Sequence, residues 1–321
     1  MTPVVVVAAS AFADPDALIA HFADVAELRF RDVSTPEAVE SATAGADGIV
    51  VALHPLRRAH IEAFGTGVKV IGRAGVGLDS IDLEAAESLG VAVVNEPSYG
   101  ATEVASHGVA MMLALQRNLL RADRYVRDGW SGGLGLGTIK PVDELTVGLA
   151  GCGRIGSAVA CMLRGLVGEV LAYDPLAPAL PDGVIRIDSL EELLARSDVV
   201  SLHMPLTDET RGVINAKTIA AMRPGAILVN VSRGLLVDEK ALTEALESGQ
   251  LAGAGLDVFE VEPLPADSPL LAAPNTIFSP HMAAHSVRAM WRLAMWTIGD
   301  TVEWIGTRRV SNGSIVIAGT R

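Results

Sequence analysis

Short runs of β-branched residues alternate with amphipathic segments along nearly the whole chain. In the first third, the pattern predicts strands at residues 4–9, 48–51, 68–71 and 91–94, and helices at residues 14–22, 36–42, 56–64 and 82–89. The strands are apolar on both faces, which is typical of strands covered by helices on each side. The alternation therefore predicts a parallel α/β architecture.

The rest of the chain continues this alternation after one long helical pattern, residues 101–127. A glycine-rich run at 132–137 follows; no strand precedes it, so a flexible connection is favoured over a phosphate loop. Six further strands are predicted at residues 145–150, 170–173, 199–202, 226–231, 251–256 and 276–278, with helices at 154–166, 190–196, 239–248 and 287–305. Six parallel strands are the full complement of a dinucleotide-binding sheet.

Composition narrows the class of protein. The 321 residues include 25 Lys and Arg against 38 Asp and Glu, a net charge of −13, and half of the residues are apolar. No basic run suited to nucleic acid is present, and no apolar stretch approaches the ~18 residues of a membrane span. The first residues do not predict a signal peptide. With two cysteines, Cys152 and Cys161, we expect a cytoplasmic protein without a disulfide framework or a metal site.

The first chemical motif is the glycine pattern at residues 151–156. It follows a predicted strand and opens a helix, as a dinucleotide fingerprint requires. Gly151 permits the tight turn, Gly153 lets the backbone approach a pyrophosphate, and Gly156 lets the helix pack on the sheet. Arg154 and Ile155 complete the motif. A ligand-free strand-to-helix turn is the alternative interpretation.

The second motif is Asp174, which closes the next predicted strand 18 residues after Gly156. A carboxylate at this place accepts hydrogen bonds from the adenosine ribose and repels a 2′-phosphate, which favours NAD over NADP. No Arg or Lys follows until Arg186. The alternative is a surface Asp that starts a turn with Pro175.

Polar groups follow every strand of the second half at its carboxyl end, where ligands bind in an open parallel sheet. They are Gly151, Asp174, His203 with Met204 and Pro205, Ser232 with Arg233, Asp257 with Glu262, and His281. Arg233 suits a substrate carboxylate, and His281 suits general acid–base work. Glu262 could orient the imidazole and raise its pKa. Taken singly, each residue is more often structural, and only the joint arrangement favours a reaction centre. His107, within a helix, is interpreted as a packing residue.

At these residues the sequence resembles the D-isomer-specific 2-hydroxyacid dehydrogenases, over about residues 48–304. The segments that carry the resemblance are 72–79, 151–156 with Asp174, 229–234, 255–263 and 279–281.

The resemblance implies roles for particular residues. Arg233, Glu262 and His281 would be the catalytic set. Asp257 would hold the nicotinamide, and the amides of Val76 and Gly77 would bind the substrate carboxylate. The implied cofactor contacts also include Met204, Pro205, Val231, Ser232, Ala283 and Ala284. Arg233 and His281 would contact both the cofactor and the substrate, and Arg73 would contact the substrate.

The resemblance also implies a discontinuous layout. Residues 1–98 and 286–321 would form the substrate domain, residues 99–285 an inserted NAD-binding Rossmann domain, and the cleft would lie at the hinge. A homodimer is expected from the resemblance, with modest support from apolar faces around residues 111–120.

Departures from the family bear on the substrate. The overall likeness is greatest to the phosphoglycerate dehydrogenase branch, as a short form without its regulatory domain. Ala52 stands where that branch commonly has an arginine, a loss for which Arg57, Arg58 and Arg73 could partly compensate. Glu262 stands where formate dehydrogenases carry Gln, which disfavours formate.

We therefore predict an NAD-dependent oxidoreductase of small 2-hydroxy or 2-keto acids. Two alternatives remain open: an NAD-sensing, corepressor-like binding protein with incidental catalysis, and a purely structural α/β protein. Turnover of a keto acid would distinguish an enzyme from the binding protein. NADH binding would distinguish either of these from the purely structural protein.

Overall fold

The structure, a computed structural model, describes residues 2–131 and 139–321. The strands are β1 (Val4–Ala8), β2 (Glu27–Arg31), β3 (Gly48–Val51), β4 (Val70–Arg73), β5 (Ala92–Asn95), β6 (Thr146–Ala150), β7 (Glu169–Tyr173), β8 (Val184–Arg186), β9 (Val199–Leu202), β10 (Ala226–Asn230), β11 (Leu251–Leu256), β12 (Thr276–Phe278) and β13 (Ser314–Ile317). The α-helices are α1 (Pro15–Phe22), α2 (Pro36–Ala42), α3 (Arg58–Glu62), α4 (Leu83–Ser88), α5 (Ala101–Gln116), α6 (Leu119–Arg127), α7 (Arg154–Leu163), α8 (Leu190–Arg196), α9 (Ala216–Ala220), α10 (Glu239–Ser248) and α11 (Val287–Thr307). The predicted α/β class is confirmed. The glycine-rich run at 132–137 lies outside the described residues.

The chain divides into two compact units. Unit 1 comprises residues 1–100 and 286–321, and unit 2 comprises residues 101–285. The sequence places the divisions after residues 98 and 285, and the structure places them after residues 100 and 285.

Unit 1 contains a sheet of strand order β13-β5-β4-β3-β1-β2. Every pairing is parallel except that of β13 with β5. The side chains of β1 alternate between two buried clusters, with Val6 packed on one face and Val5 and Val7 on the other. Helix α11 covers the second face with Ala294 and Ile298, which explains why the segment after unit 2 folds back into unit 1.

Unit 2 contains a fully parallel sheet of strand order β12-β11-β10-β9-β6-β7-β8. The prediction of six strands is wrong by one, because the short edge strand β8 pairs with β7. Buried apolar clusters cover both faces of this sheet. The parallel arrangement brings the carboxyl ends of all seven strands to one edge.

The long helix predicted at residues 101–127 is two helices. Asn118 adopts a left-handed conformation with φ of 53°, which ends α5 at Gln116 and starts α6 at Leu119. Asparagine tolerates this conformation better than other non-glycine residues. Met111 and Met112 of α5 are buried in the core of unit 2, so they cannot supply the interface face expected of them.

No helix among the described residues combines the length and apolar character needed to cross a membrane.

Candidate active site

The glycine turn between β6 and α7 has the geometry of a phosphate cradle. Gly151 has φ of +95°, and a Cβ there would lie 2.7 Å from the carbonyl carbon of His203. A Cβ on Gly156 would lie 2.4 Å from the carbonyl oxygen of Gly151. A Cβ on Gly153, in contrast, would meet no atom within 4 Å. Gly151 and Gly156 are therefore required by the fold, whereas Gly153 leaves open space beside the start of the helix.

That open space fits a dinucleotide. Helix α7 starts at Arg154, and its N-cap, Gly153, makes no side-chain hydrogen bond to the helix. The first N–H groups of the helix and its dipole thus offer an anion site, and the exposed backbone of Gly153 permits close approach.

Asp174 lies at the end of β7, beside the glycine turn. Its Oδ2 accepts a hydrogen bond from the N–H of Cys152 at 2.8 Å, and its Oδ1 accepts from the N–H groups of Leu176 and Ala177. Arg186 lies closer than its position in the sequence suggests, because β8 pairs with β7. Its guanidinium donates to the backbone carbonyl oxygen of Asp174 at 3.1 Å, so a cation lies beside this residue although the sequence spacing did not indicate one.

Cys152 is buried, and burial raises the pKa of its thiol. The thiol is therefore a packing group rather than a reactive one.

His203, after β9, is a neutral residue against the glycine turn. Burial lowers the pKa of its imidazole to about 4, and both ring nitrogens are buried. Met204, the next residue, links the ends of β9 and β10: its carbonyl oxygen accepts a 2.6 Å hydrogen bond from the hydroxyl of Ser232. Met204 and Val231 are buried, and Pro205 is exposed.

The strongest interaction at this edge joins His281 and Glu262. Nδ1 of His281 lies 2.7 Å from Oε2 of Glu262, and Oε1 of Glu262 accepts a 3.0 Å hydrogen bond from the N–H of Phe259. Both side chains are about one-third exposed. One oxygen of Glu262 thus binds a backbone N–H group, which fixes the carboxylate, and the other oxygen contacts the imidazole.

Electrostatics keep Glu262 ionised. Burial alone would raise the pKa of this carboxyl, but the hydrogen bonds from His281 and Phe259 and the nearby charges of His281 and Arg233 lower it below its ordinary value. Arg233, directly after β10, therefore belongs to the same cluster of charges. Its Nη1 donates to the carbonyl oxygen of Ser232, and Asn230 donates to the carbonyl oxygen of Arg233.

Asp257, the residue that follows β11, is buried and fully engaged in hydrogen bonds. Its residue exposure is 1 %, and its carboxylate accepts hydrogen bonds from the N–H groups of Met282 and Ala283 and from the hydroxyl of Ser279. Ala284, the next residue, is half-buried.

Sequence reasoning missed His107 and Ser279 as members of this site. Nε2 of His107 lies 2.8 Å from the hydroxyl oxygen of Ser279, across 172 residues of sequence. No local pattern signals a contact of that separation.

The substrate-side residues predicted by resemblance lie in unit 1, at the end of β4 and in the segment that follows it. Arg73 is buried and donates to the carbonyl oxygen of Ala74. Val76 is exposed, and its carbonyl oxygen accepts a 2.8 Å hydrogen bond from Asn95, while Gly77 is half-buried.

Two of the arginines expected to compensate for Ala52 are engaged elsewhere. Arg58 lies 3.8 Å from both Glu62 and Glu84, and Arg57 donates to the carbonyl oxygen of Asp79. No group of three or more His, Cys, Asp or Glu that could hold a metal ion occurs within residues 2–131 and 139–321.

Comparison with known proteins decides the family. Residues 109–283, more than half of the chain, match the profile of the D-isomer specific 2-hydroxyacid dehydrogenase, NAD binding domain. The chain belongs to the D-isomer specific 2-hydroxyacid dehydrogenase family. The resemblance drawn from the sequence is thereby confirmed.

The curated relatives of this family member include D-3-phosphoglycerate dehydrogenases and a glyoxylate reductase. It is 39% identical over 277 residues to the D-3-phosphoglycerate dehydrogenase of Mycobacterium leprae (strain TN), a match that covers 85% of this chain and 52% of the relative. It is 41% identical over 234 residues to the glyoxylate reductase of Korarchaeum cryptofilum (strain OPF8), covering 71% and 70% of the two chains. The chain spans about half the length of the phosphoglycerate dehydrogenase.

Solved structures of the family share the whole fold. The glyoxylate reductase from Paecilomyes thermophila superposes with a TM-score of 0.86 at 28% identity, and the match covers 98% of each chain.

Proposed function

We propose that this protein is an NAD-dependent oxidoreductase that interconverts a small 2-keto acid and the corresponding D-2-hydroxy acid. The observation that carries the proposal is the 2.7 Å contact between Nδ1 of His281 and Oε2 of Glu262, with the charge of Arg233 beside it. A histidine fixed by a carboxylate next to an arginine is suited to proton transfer on a substrate that carries its own carboxylate.

The cofactor proposal rests on the glycine turn. The backbone at Gly151, Gly153 and Gly156 would hold the pyrophosphate of NAD, and Asp174 would accept hydrogen bonds from its adenosine ribose. When bound, the nicotinamide supplies or accepts the hydride. Asp174 favours NAD because its carboxylate repels a 2′-phosphate, while the neighbouring Arg186 donates to the backbone carbonyl oxygens of Asp174 and Ala177.

The residues of the chain carry the proton. Because a carboxylate can only accept a hydrogen bond, Nδ1 of His281 donates to Glu262, which leaves Nε2 to exchange a proton with the substrate oxygen. In the direction of reduction, the keto carbon gains a hydride, the oxygen gains the proton from Nε2, and a neutral imidazole remains. In the direction of oxidation, His281 accepts the hydroxyl proton.

Arg233 would bind the substrate carboxylate and stabilise the negative charge that develops on the oxygen. By the family resemblance, the N–H groups of Val76 and Gly77 in unit 1, supported by Arg73, would bind a substrate carboxylate. Unit 1 would thus serve as the substrate domain and unit 2 as the NAD-binding domain.

We also propose a homodimer, through the exposed end of the predicted 111–120 region and the helix that follows it. All nine residues of α6 are described and none is buried, although one side of the helix is apolar. Leu119, Leu120 and Val126 are about half exposed, and the following Trp130 is 72% exposed. Such an apolar patch is typical of an interface. Sedimentation at ~67 kDa would support the dimer, and ~33 kDa, the mass of one chain, would contradict it.

The enzymatic proposal is tested by NADH oxidation with glyoxylate, hydroxypyruvate, pyruvate and 2-ketoglutarate, with NADH binding followed by fluorescence on the same preparation. Turnover of one or more keto acids supports the enzyme. Binding without turnover of any of them would favour a cofactor-sensing protein, and absence of binding would contradict the cofactor site.

A further inference from the structure

His281 has a backbone conformation that residues with a side chain rarely adopt. Its φ is 52°, in the left-handed region. For a residue other than glycine this conformation is costly, and it persists only where the surroundings hold it. Since the backbone turn sets the direction of the imidazole, whatever holds this turn also sets the contact with Glu262.

Asp257 holds the turn at His281 through three hydrogen bonds. The N–H of His281 donates to the backbone carbonyl of Asp257 at 2.7 Å. The N–H groups of Met282 and Ala283 donate to Oδ1 and Oδ2 of the same residue, each at 2.9 Å. Three consecutive backbone donors therefore converge on one buried residue, and the carboxylate must keep its own orientation for two of them to be made.

Ser279 and His107 fix the carboxylate in turn. The hydroxyl of Ser279 lies 2.5 Å from Oδ1 of Asp257, and its oxygen lies 2.8 Å from Nε2 of His107. The single hydroxyl proton goes to the carboxylate, which can only accept. The oxygen of Ser279 must then accept from His107, so Nε2 of His107 carries a proton.

The same hydrogen bonds also compensate the buried negative charge of Asp257. A carboxylate with 1 % exposure is costly unless donors and positive charge compensate it. Nε2 of His107 lies 3.8 Å from Oδ1 of Asp257. The side chain of His107 is 26% exposed, so the chain of hydrogen bonds runs from the buried carboxylate to a partly exposed side chain of α5.

We infer that His107 is a positioning residue: through Ser279 it fixes the Asp257 carboxylate, which holds the left-handed turn that directs His281 to Glu262. The role is distinct from that of a packing histidine, because it requires an Nε2–H donor and not only a side chain of the right volume. The kinetic consequence of this inference rests on the proposed function, whereas its structural consequence does not.

The structural consequence is tested by long-range 1H–15N spectra of the seven histidines, with His281 assigned by its loss in His281→Ala. His107→Leu removes the donor, and His107→Gln keeps an N–H donor. Ser106→Ala is the matched control, since Ser106 neighbours His107 on α5 and its hydroxyl donates to the carbonyl oxygen of Glu103. We expect the ring nitrogen signals of His281 to move in His107→Leu and in Ser279→Ala, and to stay as in the wild type in His107→Gln and Ser106→Ala.

The kinetic arm uses the keto acid that the wild type reduces best. We expect kcat to fall about 10- to 100-fold in His107→Leu, since small displacements of reacting groups have effects of this size, and less than about 3-fold in His107→Gln. The KM for NADH should stay within about 3-fold. The double variant with Ser279→Ala should lose no more than the larger single effect, because the two residues act as one chain.

Several results would overturn the inference. They are an unchanged His281 signal in His107→Leu, equal losses in His107→Gln and His107→Leu, and additive losses in the double variant. If His107→Leu does not fold, His107→Gln and Ser279→Ala still decide the matter. If the wild type reduces no keto acid, the proposed function fails while the spectra still test the role of His107.

Discussion

Nδ1 of His281 lies 2.7 Å from Oε2 of Glu262, and the other oxygen of that carboxylate is held by the backbone N–H of Phe259. The imidazole is therefore held by a carboxylate that cannot rotate freely. A fixed acid–base group of this kind is what proton exchange with a substrate oxygen requires.

Glu262→Gln should lower kcat about 100-fold, because an amide cannot stabilise the imidazolium as a carboxylate does. Glu260→Gln, two residues earlier, is the control, since Glu260 accepts from the N–H of Glu239 instead. Steady-state kinetics on both variants measure the effect, and equal activity of Glu262→Gln and Glu260→Gln would contradict it.

The same substitution should change stability in a pH-dependent way. The pKa of Glu262 is lowered in the folded protein, so its ionised form stabilises the fold above the unfolded pKa, and this contribution disappears as the pH falls through the folded pKa. Urea unfolding should therefore show Glu262→Gln less stable than the wild type at pH 7, with a smaller difference in acid. A difference that grows in acid would argue against the interaction.

Arg233→Lys should raise the KM for the keto acid at least about 10-fold and change the Kd for NADH much less. Lysine keeps the charge but lacks the two-pronged geometry that matches a carboxylate. Arg223→Lys is the matched control. Arg223 precedes β10, at the opposite end of the strand from Arg233, and its guanidinium pairs with Asp198. Equal KM values for the two variants would remove Arg233 from substrate binding.

Two glycines of the same turn should respond differently to a side chain. Gly153→Val places its Cβ in open space, so the fold should survive while the Kd for NADH rises more than about 10-fold. Gly156→Val drives its Cβ onto the carbonyl oxygen of Gly151, so the fold itself should be destabilised. Thermal unfolding together with NADH fluorescence separates the two effects. Normal NADH affinity in Gly153→Val would show that the pyrophosphate binds elsewhere.

The central strands could be predicted from sequence, whereas of the four edge strands only β12, predicted at residues 276–278, was found. Residues 48–51, 199–202 and 251–256 were predicted with the observed bounds, because buried parallel strands are apolar on both faces. The missed strands β2, β8 and β13 each lie at the edge of a sheet. One side of such a strand is open, so polar residues such as Arg29 and Arg186 interrupt the apolar pattern.

The candidate site divides in a similar way. Residues that directly follow a strand could be placed at one edge from topology alone, as for Arg233 and His281. His107 could not, because its partner is set by how α5 packs on the sheet. Arg186 was misjudged for the same reason, since its proximity to Asp174 depends on a strand that the sequence did not reveal.

A pH effect is expected in unit 1, at Glu96. This carboxyl is fully buried close to Asp300, and burial, followed by the charge of Asp300, raises its pKa to about 8 from an ordinary value of 4.5. Between these values the folded protein holds a proton that the unfolded chain releases, so stability falls as the pH rises from about 4.5 to about 8.

Glu96→Gln lacks this proton and should gain stability relative to the wild type as the pH rises over that interval. Urea midpoints at several pH values measure the difference, with Glu87→Gln as a control at an exposed position of α4. Parallel pH profiles for the wild type and Glu96→Gln would contradict the raised pKa.

The most direct test of the proposed chemistry compares His281→Ala with the wild type, with kcat for the preferred keto acid and the Kd for NADH measured on the same preparations. We expect a loss of kcat of at least about 100-fold with a much smaller change in the Kd, because the imidazole carries the proton while the glycine turn between β6 and α7 binds the cofactor. Turnover by His281→Ala at the rate of the wild type would contradict it.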